Sequence, residues 1–303
     1  MRRATFLFLL LLLGRSVLAG QPPTTPPPEG TALYAFGVEL FRLGEYYRAI
    51  TELKRFSLLF PHHPRQPLAQ LLIGLALQED GAYEAAFAHF QRLQQEPGEV
   101  AQVAAFKLGE LRFWQGQYPQ AIALLSDFRQ RFPTGPLVPR STYLLGLSHA
   151  LHGDFVAAGQ AFALLPAGHP LQARAQALQH ELQEGLPVAK KSPRTAGLLA
   201  GVLPGAGHLY LGQPLRGLTA LLLNGLFLTG AVFAAREGLE AVAAILLYFE
   251  TGWYLGNINS AVQGARDENR RRLTAVQERL RATYAPPPLG FDELQALGLQ
   301  LRF

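Results

Sequence analysis

Three polar side chains, Asn224, Glu250 and Asn257, stand inside the one stretch of this chain apolar enough to live in lipid, with Asn259 close behind. A carboxylate there is a candidate for proton or ion movement, because charge held away from water is costly and is kept only for a use or a partner. Glu250, Tyr254, Asn257 and Ala261 recur at i, i+4, i+7 and i+11, so they share one helical face. Asn224 lies about 13 residues before the polar triplet Arg236-Glu237-Gly238 and Glu250 about 13 after it. At a rise of ~1.5 Å per residue both stand ~20 Å from that turn, and they are expected to meet. Two chemistries follow: a relay through Glu250, or interhelical hydrogen bonding in which a protonated Glu250 holds Asn224, with His208 as another partner. One carboxylate without a relay chain rarely makes a transporter, so the second is favoured.

Elsewhere the chemistry is sparse. His149 and His152, with His169 further on, have a spacing compatible with a metal on a helix face, but neither a carboxylate pair nor HExxH accompanies them. His62-His63 reads as a turn. Arg129 and Arg131 read as a wet helix face that could clamp a peptide carboxylate. The chain has no cysteine, which excludes disulfides, thiolate zinc, a cysteine nucleophile and attachment through a lipidated cysteine. No Ser/His/Asp set or paired carboxylate is visible, and the glycines near 205 fit neither GxGxxG nor GxxxxGK[ST]. No catalytic residue, metal or cofactor is therefore expected.

The elements that must position these residues begin with an export signal. Arg2 and Arg3 precede an apolar run from Ala4 to Leu13, and Val17-Leu18-Ala19 offers a small-residue cleavage site, giving a signal peptide at 1–19. A proline-rich linker, 20–30, follows. The net charge of +5 gathers at Lys190, Lys191, Arg194 and Arg266 to Arg281, flanking the apolar block, which points to lipid headgroups and not to nucleic acid.

Between 31 and 185 the sequence repeats. Gly37, Gly74, Gly109 and Gly146 are spaced by 35–37 residues. Seven residues on stand Gly44, Gly81, Gly116 and Gly153, then an aromatic (Tyr46, Tyr83, Tyr118, Phe155), then Ala49, Ala86, Ala121 and Ala158. Pro61, Pro97, Pro133 and Pro170 are expected to close the units. Small residues at the first glycine and the alanine let two helices cross closely, and the second glycine opens the turn between them. The pattern resembles the tetratricopeptide repeat, with Leu33, Gln70, Ala105 and Thr142 where that family often has tryptophan. The resemblance implies an all-α solenoid of four repeats plus a capping helix, Leu171 to Glu184, and a concave surface that binds a protein or peptide. Phe36, Phe41, Phe90, Phe106, Phe128 and Phe162 are expected in its core.

After a basic hinge at 186–194 comes a membrane domain, 195–264. Spans are expected at 215–235 and 239–262, joined as an antiparallel hairpin, each longer than the roughly 20 residues that cross a bilayer. The segment 195–211, broken by Pro204, Gly205 and Gly207, is either a third span or re-entrant; three crossings would leave the arginine-rich tail, 265–303, in the cytoplasm. Pro204, Gly205, Gly207, His208, Tyr210 and Gly212 form a motif that resembles the Pro-Gly-x-Gly-x-x-Tyr-x-Gly signature of small bacterial membrane hairpins akin to the two-transmembrane-domain family. His208 stands where relatives often carry glutamine. The expected protein is an inner-membrane-anchored periplasmic scaffold or adaptor for envelope assembly; a transporter component using Glu250, and an envelope enzyme without a recognisable motif, are the alternatives.

Overall fold

The computed structural model describes residues 28–185 and 190–296. The signal-like segment, most of the proline-rich linker and the terminal Leu301-Arg302-Phe303 lie outside them. Among the described residues every regular element is an α-helix, and they divide into two compact units: residues up to 141 together with those from 288 onward, and residues 142–287.

In the first unit, helical hairpins follow one another: α1 (Pro28–Arg42) with α2 (Tyr46–Leu59), α3 (Gln66–Glu79) with α4 (Tyr83–Leu93), and α5 (Glu99–Trp114) with α6 (Tyr118–Arg131). Each pair closes because a glycine on the first helix leaves room for a large apolar side chain of the second. A Cβ on Gly37 would lie 2.8 Å from Leu53, on Gly74 2.5 Å from Phe90, and on Gly109 2.7 Å from Leu125. Ala49, Ala86 and Ala121 are fully buried opposite. The hairpin turns place Gly44, Gly81 and Gly116 at φ between +74° and +79°, a region closed to most other residues. Pro61, Pro97 and Pro133 each follow the second helix of a pair. Of the phenylalanines assigned to the core, Phe36 is not there; it is nearly half exposed.

The second unit repeats the device once. α7 (Val138–His152) begins in the first unit and continues into the second, where it pairs with α8 (Phe155–Ala163). A Cβ on Gly146 would meet Phe162 at 2.5 Å, and Ala158 is buried. Pro170 does not close this unit. It is the first residue of α9 (Pro170–Glu184), where a missing N–H costs nothing.

Beyond the hinge lie α10 (Pro193–Val202), α11 (Ala206–Tyr210), α12 (Pro214–Arg236) and α13 (Glu240–Tyr284), and α14 (Phe291–Ala296) returns to the first unit. α13 has 45 residues, about 68 Å at 1.5 Å each, and runs unbroken through the expected boundary at 264. The arginine-rich tail to Tyr284 is therefore the second half of one helix.

Candidate partner-binding face and membrane cluster

The first helices of the hairpins form a face, and in the first unit that face is covered by the chain's own C-terminal segment. Lys107 and Glu110 on α5 are an ion pair at 2.6 Å, with side chains almost wholly buried. Burying two charges is costly unless further hydrogen bonds satisfy them. Here one backbone residue supplies both: Lys107 donates to the carbonyl of Leu289, and the Leu289 N–H donates to Glu110 Oε1 at 2.8 Å. Arg140 approaches Glu110 at 3.6 Å and Glu293 of α14 at 3.5 Å.

Apolar contacts complete the seat. Leu289 and Leu294 are 1% and 0% exposed, and Phe291 packs on Phe41 with ring centroids 5.5 Å apart while the Arg42 guanidinium lies over it. A cavity of about 330 Å³, lined by Gln78, Tyr83, Trp114 and Pro288 among others, continues the face. Lys107 and Glu110 were not singled out from sequence. The available signal was two opposite charges flanking Gly109 in the otherwise apolar run VAAFKLGEL.

In the second unit, α13 packs against the last repeat. The Tyr143 hydroxyl donates to the Tyr284 carbonyl at 2.7 Å, Gln277 donates to Leu151 O at 2.7 Å, and the Tyr284 hydroxyl donates to Glu181 at 2.8 Å. Burial pushes the Tyr143 phenol far above its ordinary range, so it stays a donor.

The segment 195–211 is not a single span. α10 has only ten residues, and the chain then turns back at Pro204-Gly205. Its two ends meet: Lys191 Nζ donates to Tyr210 O at 3.1 Å, and the Ser192 N–H donates to the Tyr210 hydroxyl at 3.1 Å. The Lys191 backbone also exchanges two hydrogen bonds with the Asn269 amide, at 2.7 and 2.8 Å. The start of the domain and the arginine-rich part of α13 are thus at one end of it, which removes the geometry of three crossings.

The motif residues sit at the fold-back. Gly205 has φ +89°, and a Cβ there would stand 2.0 Å from the Gly217 carbonyl; a Cβ on Gly207 would stand 2.3 Å from Ala196 O and 2.8 Å from Ala261. Gly212 makes the turn into α12 at φ +75°. Ala196, Ala200, Leu211, Ala261 and Ala265 form the small core against which Tyr210 and Ile258 pack.

The expected Asn224–Glu250 hydrogen bond does not form. Asn224, buried, turns its amide back to Ala220 O on its own helix at 2.6 Å, and its Oδ1 has no hydrogen-bond partner. Nor do Glu250 Oε2, His208 Nδ1 or either polar atom of Asn257. Equal distance from a turn fixes depth but leaves the rotation of each helix free, and α12 satisfies its amide locally. An open groove of about 920 Å³ between these helices is lined by His208, Arg216, Tyr248, Trp253, Asn257 and Ser260 among others.

Among the described helices α12 alone is long and apolar enough to cross a membrane. The expected second span, 239–262, falls short because Glu240, Glu250, Asn257 and Asn259 dilute it.

The histidines have other uses. His149 Nδ1 faces Asp154 at 3.9 Å, His152 is exposed, and His169 caps α9 by accepting the Leu171 N–H. No cluster of three His, Asp or Glu that could hold a metal occurs among the described residues. His63 is buried against Phe56, with ring centroids 5.1 Å apart, and is more than a loop residue. His89, which sequence reading passed over, is buried with Nε2 2.7 Å from Gln70 O. Arg131 bonds Gln94 and is committed within the first unit.

The tetratricopeptide repeat model matches residues 34–100 and 106–178. A search of curated proteins finds no match. Among solved structures, the MamA RS-1 ArsTM double mutant is 13% identical with a TM-score of 0.38, over 76% of this chain and 96% of that one. A tetratricopeptide repeat protein from Parabacteroides merdae ATCC 43184 is 14% identical with a TM-score of 0.45, over 89% of this chain and 99% of that one. The N-terminal part of this chain, through α9, carries tetratricopeptide repeats.

Proposed function

We propose that the protein is a membrane-tethered scaffold or adaptor: an exported repeat domain on the periplasmic side of a bacterial inner membrane, binding a protein partner in envelope assembly and held by the hairpin α12–α13. The observation that carries the tether is exposed apolar surface. Leu215, Leu222, Leu226, Phe233, Ile245, Tyr248, Phe249 and Leu255 on these two helices are each more than half exposed, and apolar surface gathered this way marks a membrane or interaction site. Lipid would cover them. The Pro-Gly-x-Gly-x-x-Tyr-x-Gly stretch supports a likeness to small two-span membrane domains, with α10–α11 as its re-entrant part.

Because α13 is about twice the length needed to cross a bilayer, its second half stands outside, beside the last repeat. The hairpin therefore returns the chain to the side on which the repeats lie. The flanking arginines favour the cytoplasm, whereas a signal at 1–19 favours export. Long domains follow their signal largely regardless of charge, which supports the periplasm. Protease treatment of spheroplasts tests this: repeats and tail should be cut together, and protected repeats with a cut tail would overturn it.

A second reading, a transporter or channel component, is favoured by the unpartnered polar atoms of His208, Glu250 and Asn257. Flux through reconstituted vesicles separates it from a scaffold.

A further inference from the structure

We infer that the seat of Leu289–Ala296 is the partner-binding face of the first three repeats, held closed by the chain's own tail, and that its partner is a protein segment of the same chemistry. This rests on the reading of the repeats as a protein-binding domain and names what they bind.

The seat has the features of a peptide site. Lys107 and Glu110 take the carbonyl and N–H of one residue, Leu289, so the grip is on its backbone. Hydrogen bonds to charged groups are the strong kind, and here they are shielded from water. Selection comes from the flanks. Leu289 and Leu294 are buried, Phe291 packs on the Phe41 ring with the Arg42 guanidinium over it, and Arg140 meets Glu293. The pattern read is apolar, any, aromatic, any, acidic, apolar, as in LGFDEL.

The occupant is tethered through Pro286-Pro287-Pro288, which fixes the backbone dihedrals of the approach and lowers the entropy lost on docking. A free partner must displace it. If the tail fills the seat nine-tenths of the time, an outside peptide binds about tenfold more weakly than to an empty seat.

The probe is a fluorescent peptide of residues 285–296, APPPLGFDELQA, titrated into the full chain in detergent and into a chain ending at Pro288. The expected result is binding to the shortened chain at least about tenfold tighter than to the full one, and its loss on Lys107→Ala in the shortened chain. Circular dichroism confirms that each variant is folded. Equal binding to both chains, or no binding to a folded shortened chain, overturns the inference.

The cysteine-free chain allows a second check, Phe41→Cys with Phe291→Cys in the full protein, joined by a short bismaleimide that spans more than a disulfide does. A crosslink within one chain, weakened by excess peptide, is expected; a crosslink only between copies overturns self-occupancy. The broader reading fails separately, if the open, shortened chain binds the probe yet neither it nor the full chain retains any envelope protein after crosslinking in cells.

Discussion

Glu110 accepts a hydrogen bond from the backbone N–H of Leu289 at 2.8 Å across 179 residues of chain, and the same leucine's carbonyl accepts one from Lys107 Nζ. That pairing explains how two charges persist in the interior of a helical repeat. It also makes their removal asymmetric.

Lys107→Ala leaves Glu110 buried with the Leu289 N–H and, as its nearest cation, only the more distant Arg140, a loss of about 3–5 kcal/mol. Lys107→Met with Glu110→Met removes both charges and should cost markedly less than the two single changes together. Thermal unfolding of Lys107→Met, Glu110→Met and the double variant measures this, and additive losses would contradict a coupled pair.

At the helix crossings, Gly74→Ala puts a methyl 2.5 Å from the Phe90 ring, whose buried position leaves it nowhere to move. A loss of about 1–3 kcal/mol is expected by denaturant titration. Gly225→Ala, with open space around it on α12, is the control and should be nearly neutral or slightly stabilising, since alanine is the better helix former.

Acid should loosen the first unit. Burial lowers the pKa of His63 and of His89, with the neighbouring Arg65 adding to the shift at His63. The unfolded chain therefore binds these protons before the folded one does. Stability is fully present above the ordinary histidine value near 6.5 and is lost as pH falls below it, through the folded values. The melting temperature should drop between pH 7 and pH 5, and His89→Gln should reduce the drop. An unchanged drop would mean that other groups carry it.

At the fold-back between α10 and α12, Gly205→Ala sets a Cβ 2.0 Å from the Gly217 carbonyl at a φ of +89°. Both backbones would have to move, and melting in detergent should fall well below that of Gly225→Ala. Glu250→Gln, by contrast, removes no hydrogen bond that the carboxylate's Oε2 makes, and the fold should persist. If that substitution abolished proton flux in vesicles, the transport reading would prevail over the scaffold.

The repeats were legible in sequence because their constraint is local: a glycine, a turn glycine and an alanine at fixed offsets each answer to one close contact. Gly37, Gly74, Gly109 and Gly146 all face a bulky side chain sixteen residues on, as a hairpin of constant geometry requires. The fold-back at Pro204-Gly205 was readable only as a break, since direction after a break depends on Tyr210 and Asn269 holding Lys191 from 19 and 78 residues away. Helix rotation hid the fate of Asn224 and Glu250. The seat of Leu289 was hidden by distance in sequence; nothing in the tail's composition says which face it covers.

The central claim is that repeats and tail lie on one side of a membrane crossed by a single hairpin. Single cysteines at Gln95, Glu237 and Arg271, all exposed positions in a cysteine-free chain, report it directly in intact spheroplasts treated with an impermeant maleimide. Gln95→Cys and Arg271→Cys should label together from outside, and Glu237→Cys only after lysis. Labelling of Gln95→Cys and Arg271→Cys from opposite faces, or of all three at once, would contradict it.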